Sequence, residues 1–166
     1  MKIKISNTKK MGAVFSWSTQ AGHPSEGGSC PASFDDSGNY VDACKGCYAR
    51  EGNYRFPNVK NTRLYNMEDW KREDFVKDMV EYIDLNCRYF RWFDSGDMYH
   101  TKLAEKIYQI CKATPHCKHW IPTRQYKFSK FNNVIERLNG LPNVVVRLSS
   151  DSVIGHTVKG KNTSTI

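Results

Sequence analysis

Asn143-Val144-Val145-Val146-Arg147-Leu148 runs straight into Ser149-Ser150-Asp151, and the reading of this stretch decides the fold. A short apolar, β-branched run bounded by Gly140 and Pro142 before it and by serines after it marks a buried strand. Working back from it, Ser129 to Asn139 predicts a helix that Gly140 stops, with Pro142 close behind. Lys118 to Pro122 (KHWIP) predicts a short strand. Thr101 to Ala113 predicts a helix with Leu103, Ile107, Ile110 and Cys111 inward, and Arg88 to Phe93 (RYFRWF) another strand. Asn66 is expected to cap a helix over residues 67–85, with Trp70, Met79, Val80 and Ile83 on its apolar side. Ala13 to Ser18 (AVFSWS) reads as the first strand. Strands alternating with helices of this length imply parallel pairing through right-handed crossovers. The expected fold is α/β: a partial (β/α) barrel or an open, mostly parallel sheet, with a long cysteine-bearing loop after the first strand.

The length of 166 residues fits one domain with a core of its own, so residues 1–166 are expected to form a single metal-binding α/β domain with 153–166 as a flexible tail. The first twelve residues hold no apolar stretch of signal-peptide length, and no later run reaches a membrane span, so a cytoplasmic protein that avoids membranes is expected. Six cysteines in a reducing compartment are poor material for disulfides, which leaves metal ligation as the leading use of the closely spaced ones. A formal charge of +8 favours anionic partners, a nucleotide or nucleic acid among them. No arginine-rich tract concentrates that charge, so an ordinary solvated basic surface competes evenly with this reading.

Ligands of parallel α/β folds bind at the carboxyl ends of the strands. The four segments that leave the strands are the cysteine loop, Asp94-Ser95-Gly96-Asp97, Thr123-Arg124-Gln125-Tyr126 and Ser149-Ser150-Asp151-Ser152. All are polar, and together they predict one composite site. Asp94 and Asp97 are candidates to bind a substrate amine or ribose hydroxyls or to act as an acid–base pair, although Asp and Ser also form turns and caps routinely. Arg124, Tyr126, Arg147, Ser149 and Asp151 are candidates to bind an anionic substrate, the arginines through bidentate hydrogen bonds.

Cys44-Lys45-Gly46-Cys47 places two thiolates on one turn, and Cys30 can close a loop over the same centre. Three thiolates suit a [4Fe–4S] cluster with one iron left open. They also suit zinc completed by His23 or another residue, and buried free thiols are the plain alternative. Cys87 and Cys111 read as small core residues, and Cys117, with His116 and His119 near it, as packing or surface groups.

Ser29-Cys30-Pro31-Ala32, Cys47-Tyr48-Ala49, Arg55-Phe56-Pro57-Asn58-Val59, Arg91 to Met98 (RWFDSGDM) and Val146 to Asp151 (VRLSSD) form a series that resembles the bacteriophage gene-product-88 family over nearly the whole chain. That resemblance implies a phage origin and the cytoplasm of a host. In outline the chain is also similar to a reduced radical S-adenosylmethionine enzyme, with Asp94 to Asp97 where that superfamily holds the methionine part of its cofactor. Cys30 stands farther from Cys44 than the superfamily's C-x-x-x-C-x-x-C spacing places it. Two functions are therefore expected. One is an iron–sulfur enzyme, of the radical S-adenosylmethionine kind, acting on a nucleotide, nucleic acid or other anionic substrate. The other is a non-catalytic, metal-stapled module that binds a host protein or nucleic acid.

Overall fold

In the computed structural model, which describes residues 3–8, 12, 14–159 and 162–164, six strands form one sheet in chain order. They are β1 (Ser6–Thr8), β2 (Val14–Trp17), β3 (Tyr89–Trp92), β4 (Lys118–Thr123), β5 (Val144–Ser149) and β6 (Thr163–Ser164). β1 runs antiparallel to β2, and every other neighbouring pair is parallel. The sheet is open rather than closed into a barrel. Ala13 of the expected first strand, and residues 160, 161, 165 and 166 of the expected tail, lie outside the described residues. Within that tail, Thr163 and Ser164 pair with Leu148 and Ser149.

The helices are α1 (Asp42–Lys45), α2 (Pro57–Asp69), α3 (Phe75–Asn86), α4 (Thr101–Ala113) and α5 (Asn132–Asn139). Parallel strands joined in chain order by crossovers of one hand place their helices on a single face. Accordingly α3 packs on α4 and α4 on α5. Trp17, Phe90, Trp92, Ile121, Val144 and Val146 of the sheet join Phe75, Met79, Ile83, Leu103, Ile107, Ile110 and Leu138 of the helices in one core. The alternate strand positions point the other way, where Tyr89 and Val145 are exposed. One face of the sheet is buried and the other open.

The expected helix over 67–85 is in fact two helices with a break between them. Asn66 does not cap it. It lies inside α2, buried, and its side-chain amide donates to the carbonyl of Ser18 at 2.9 Å. The chain turns after Asp69 because tertiary partners capture the turn. Arg72 Nε donates to the buried Asp69 carboxylate at 2.7 Å, and Lys106 Nζ donates to the carbonyls of Trp70 and Arg72 at 2.9 and 2.7 Å. α2 escaped the sequence reading because it buries Arg63, Asn66 and Asp69 rather than an apolar stripe.

Cys87 and Cys111 are buried in the core, as expected, and Cys117, left open between packing and surface, is buried there too. His119 is buried with them, 2% exposed, and fully partnered. Trp92 Nε1 donates to its Nδ1 at 3.2 Å, so Nε2 carries the proton and meets Thr114 Oγ1 at 2.8 Å. A second proton would fall on the nitrogen that accepts from Trp92. Burial, helped by His116, holds the His119 pKa down at about 4. Against an ordinary 6.5, this makes the neutral ring worth roughly 3 kcal/mol. The unfolded chain takes up the proton first, so that stability is present above pH 6.5 and lost as pH falls toward 4. Urea titrations across this window are expected to show His119→Gln less stable than wild type at pH 7, with a pH dependence flatter by about that amount.

Candidate metal centre

The parallel register delivers the ends of β2, β3, β4 and β5 to one edge, and the loop after β2 crosses it. The loop is first fastened to the β3 exit. Thr19 N donates to the Ser95 carbonyl at 3.1 Å, Ser95 Oγ donates to the Thr19 carbonyl at 2.8 Å, and the Thr19 and Ser29 hydroxyls meet at 2.7 Å. Gly96 permits this approach. Its φ is +82°, and a Cβ there would stand 2.1 Å from Thr19 Oγ1 and 2.5 Å from Ser29 Oγ. Cys30 follows directly, its N–H bonded to the Gly22 carbonyl at 2.9 Å.

The other two cysteines are fastened to the far side of the edge. Cys44 sits in α1, where the neighbouring Ala43 N–H donates to the Asp151 carbonyl beyond β5 at 2.9 Å. Val41 N donates to the Ser33 carbonyl at 2.9 Å, which returns the chain toward Cys30. Cys47 opens a 3-10 turn whose Tyr48 hydroxyl donates to the Asp94 carbonyl at 2.7 Å. A loop long in sequence is thus pinned to both sides of the carboxyl edge, with the three cysteines beside or between the pins.

The three act on one another electrostatically. Burial, then the Asp97 carboxylate, pushes the Cys30 thiol well above its ordinary range, and Cys44 and Cys47 push it further. Burial also raises Cys44, Arg124 and Lys127 oppose this, and Cys47 and Asp151 add to it. All six cysteines are free.

The other expected residues divide into three groups. Asp97, Arg124, Tyr126, Ser149 and Asp151 stitch the β3, β4 and β5 exits together. The buried Asp97 carboxylate accepts from Thr123 Oγ1 at 2.6 Å, Met98 N at 2.8 Å and Arg124 N at 2.9 Å. Burial still holds it above the usual carboxylate range. Arg124 donates from Nη2 to the Ser150 carbonyl at 2.7 Å and pairs through Nε with Asp151 at 3.3 Å, while Tyr126 donates to the Ser149 carbonyl at 2.9 Å. Lys127 also pairs with Asp151. Asp94 faces away from Asp97, toward Ser18 and Arg63, so the two do not form an acid–base pair. Ser95, 3% exposed, spends its hydroxyl on Thr19. Arg147 stands apart, on the open face of the sheet.

Arg63 is the participant that sequence reading missed. Its side chain is 8% exposed, lies 3.6 Å from Asp94 and stacks over the Tyr54 ring at 4.3 Å. Its helix shows no amphipathic stripe, so no pattern flagged it. His23 is occupied elsewhere, since its Nδ1 accepts from Ser25 N at 3.2 Å and its ring stacks on Phe34 at 4.0 Å. Among the described residues, no three His, Cys, Asp or Glu side chains gather as ligands of a single ion do.

Fold and edge together define an α/β protein with one open sheet face and a three-cysteine loop folded over the carboxyl ends of its strands. The chain belongs to the Gene product 88 family of bacteriophage proteins, whose model matches residues 1–166. No curated protein and no solved structure matches it. No helix among the described residues is long and apolar enough to cross a membrane.

Gly96→Ala tests the first pin. The left-handed backbone alone costs an alanine about 1–3 kcal/mol, and the clash with Thr19 and Ser29 adds to it. The expected outcome is a lower urea midpoint with faster alkylation of Cys30 under native conditions. Unchanged Cys30 alkylation would separate the pin from the cysteine site.

Proposed function

We propose that the protein is an iron–sulfur protein in which Cys30, Cys44 and Cys47 hold a [4Fe–4S] cluster. The observation that carries this is that three free, partly or fully buried thiols on the loop over the carboxyl edge act on one another electrostatically. A single zinc needs its ligands drawn together tetrahedrally, whereas in a cubane each thiolate takes its own iron at a separate corner. The donor set and its surroundings fit the cluster. Arg124 and Lys127 would offset the negative charge of a thiolate at the buried Cys44. Three thiolates leave one iron open, and such a cluster, when bound, supplies one-electron chemistry there. An open iron of that kind would be the place for S-adenosylmethionine to bind.

The second reading, a metal-stapled module without catalysis, draws on a different observation. Ser95 and Asp97 are committed to internal hydrogen bonds, which suits residues that build the edge rather than grip a cofactor.

Protein purified without oxygen is expected to be brown and to contain about four irons per chain. Cys44→Ala or Cys47→Ala should remove most of the iron while leaving the circular dichroism of the sheet and helices. One zinc per chain in colourless protein would reject the cluster. With the cluster present and reduced, excess S-adenosylmethionine should alter its electron paramagnetic resonance spectrum. An unchanged spectrum would give the second reading the lead.

A further inference from the structure

The open face of the sheet is a second candidate site, independent of the metal. Because α3, α4 and α5 cover one side only, the alternate strand positions of the other side line a depression of about 470 Å³. Tyr89, Arg91, Lys118, Trp120, Val145 and Arg147 line it. Register places Tyr89 beside Lys118, Arg91 beside Trp120, and Trp120 beside Val145, so these side chains form a continuous patch. The Arg91 guanidinium lies over the Trp120 ring at 4.7 Å.

Two features of this face point to one kind of ligand. The first is charge: three cations line it, and no described lining residue is acidic. The second is hydrogen bonding. Arg91 Nε, Arg147 Nε and Trp120 Nε1 are buried atoms without a protein partner, and all three can only donate. The Arg91 and Arg147 guanidiniums and the Lys118 ammonium likewise only donate, so the face offers donors and no charged acceptor to a ligand laid on it. Aromatic rings beside cations, with donors and no acceptors offered, match phosphates interleaved with planar bases. β4 and β5 span six residues each, long enough for several nucleotides to lie across the face.

We propose that this face binds single-stranded nucleic acid, with bases against Trp120 and Tyr89 and phosphates against Arg91, Lys118 and Arg147. A strand laid there would reach the carboxyl edge at Arg147, two residues before Ser149. The proposal holds with or without the cluster, so metal analysis of the same sample keeps its fate separate from that of the metal reading.

Fluorescence anisotropy with a labelled ten-nucleotide oligodeoxythymidine tests it on the full chain, with duplex and thymidine monophosphate as competitors. The expected result is binding that the single strand competes for and the monophosphate does not. Three phosphate contacts predict a slope of about −2 in log K against log salt. Trp120→Ala should weaken binding on the order of tenfold or more, and Arg91→Ala should lower the slope by about 0.7. Lys118→Glu sits at an exposed position, keeps the fold, and should weaken binding at least tenfold. Lys77→Glu on the helix side serves as the comparison and should have a smaller effect. Four results would overturn the proposal: no binding at 50 mM salt, equal losses for Lys118→Glu and Lys77→Glu, competition by the monophosphate as strong as by the oligonucleotide, or a dimer that Lys118→Glu dissociates.

Discussion

The carboxyl edge depends on one buried group, the Asp97 carboxylate. Placing a carboxylate out of water is costly, and here three donors offset that cost: Thr123 Oγ1, Arg124 N and Met98 N. The first two come from the end of β4, so the carboxylate fixes where β4 ends relative to β3. Arg124, positioned by that bond, then fixes the β5 exit through the Ser150 carbonyl and Asp151. Asp151 in turn holds α1 through the Ala43 N–H, and α1 carries Cys44. A chain of contacts therefore runs from one carboxylate to the cysteines. Asp97 also stands close enough to Cys30 to raise its thiol, so the group that builds the edge sets the electrostatics of the centre it supports.

The same edge needs a sharp departure from β3. Phe93, directly after the strand, adopts a left-handed φ of +56°, uncommon for a bulky residue, while its N–H donates to the Trp17 carbonyl at 2.9 Å. Backbone held in such a region persists only where surrounding structure over-determines it. The buried ring of Phe93, packed edge-on against Trp17 at 5.8 Å, supplies that determination. Gly96 follows with its own positive φ, and together they turn the chain so that Ser95 reaches Thr19 while Asp97 reaches Thr123.

The parallel strands and the later helices were legible because their apolar periods are strong. Val144 and Val146, and the inward Leu103, Ile107, Ile110 and Cys111, met the burial their pattern implied, whereas Val145, expected in a buried strand, is exposed because the helices cover only one face of the sheet. The polar strand exits were equally legible, since parallel pairing forces them to one edge. What the sequence hid were features made by polar burial. α2 turns Arg63, Asn66 and Asp69 inward, and no hydrophobic period records that. The break between α2 and α3 was invisible because its cause, Lys106, lies more than thirty residues downstream. β1 and β6 are edge strands of three and two residues, too short to show a period. The roles within Asp94 to Asp97 were hidden for a related reason: the residue types named the edge, but only geometry could send Asp94 to Arg63 and Asp97 to the β4 exit.

A sheet whose parallel strands follow chain order has a consequence that doubly wound sheets escape. With every crossover on one side, half of the strand side chains have no helices to cover them. Natural sheets with an open face usually make it evenly polar. This one instead places Trp120 and Tyr89 among cations and leaves buried donors without acceptors, a composition that costs stability and adds nothing to the core. The carboxyl edge shows the opposite habit, with Asp97, Ser95 and Arg124 each given partners. The chain is thus organised around two surfaces, a carboxyl edge knit by Asp97, Ser95 and Arg124 and an open face lined by cations and rings. The cysteine loop crosses the first, and the helices leave the second uncovered.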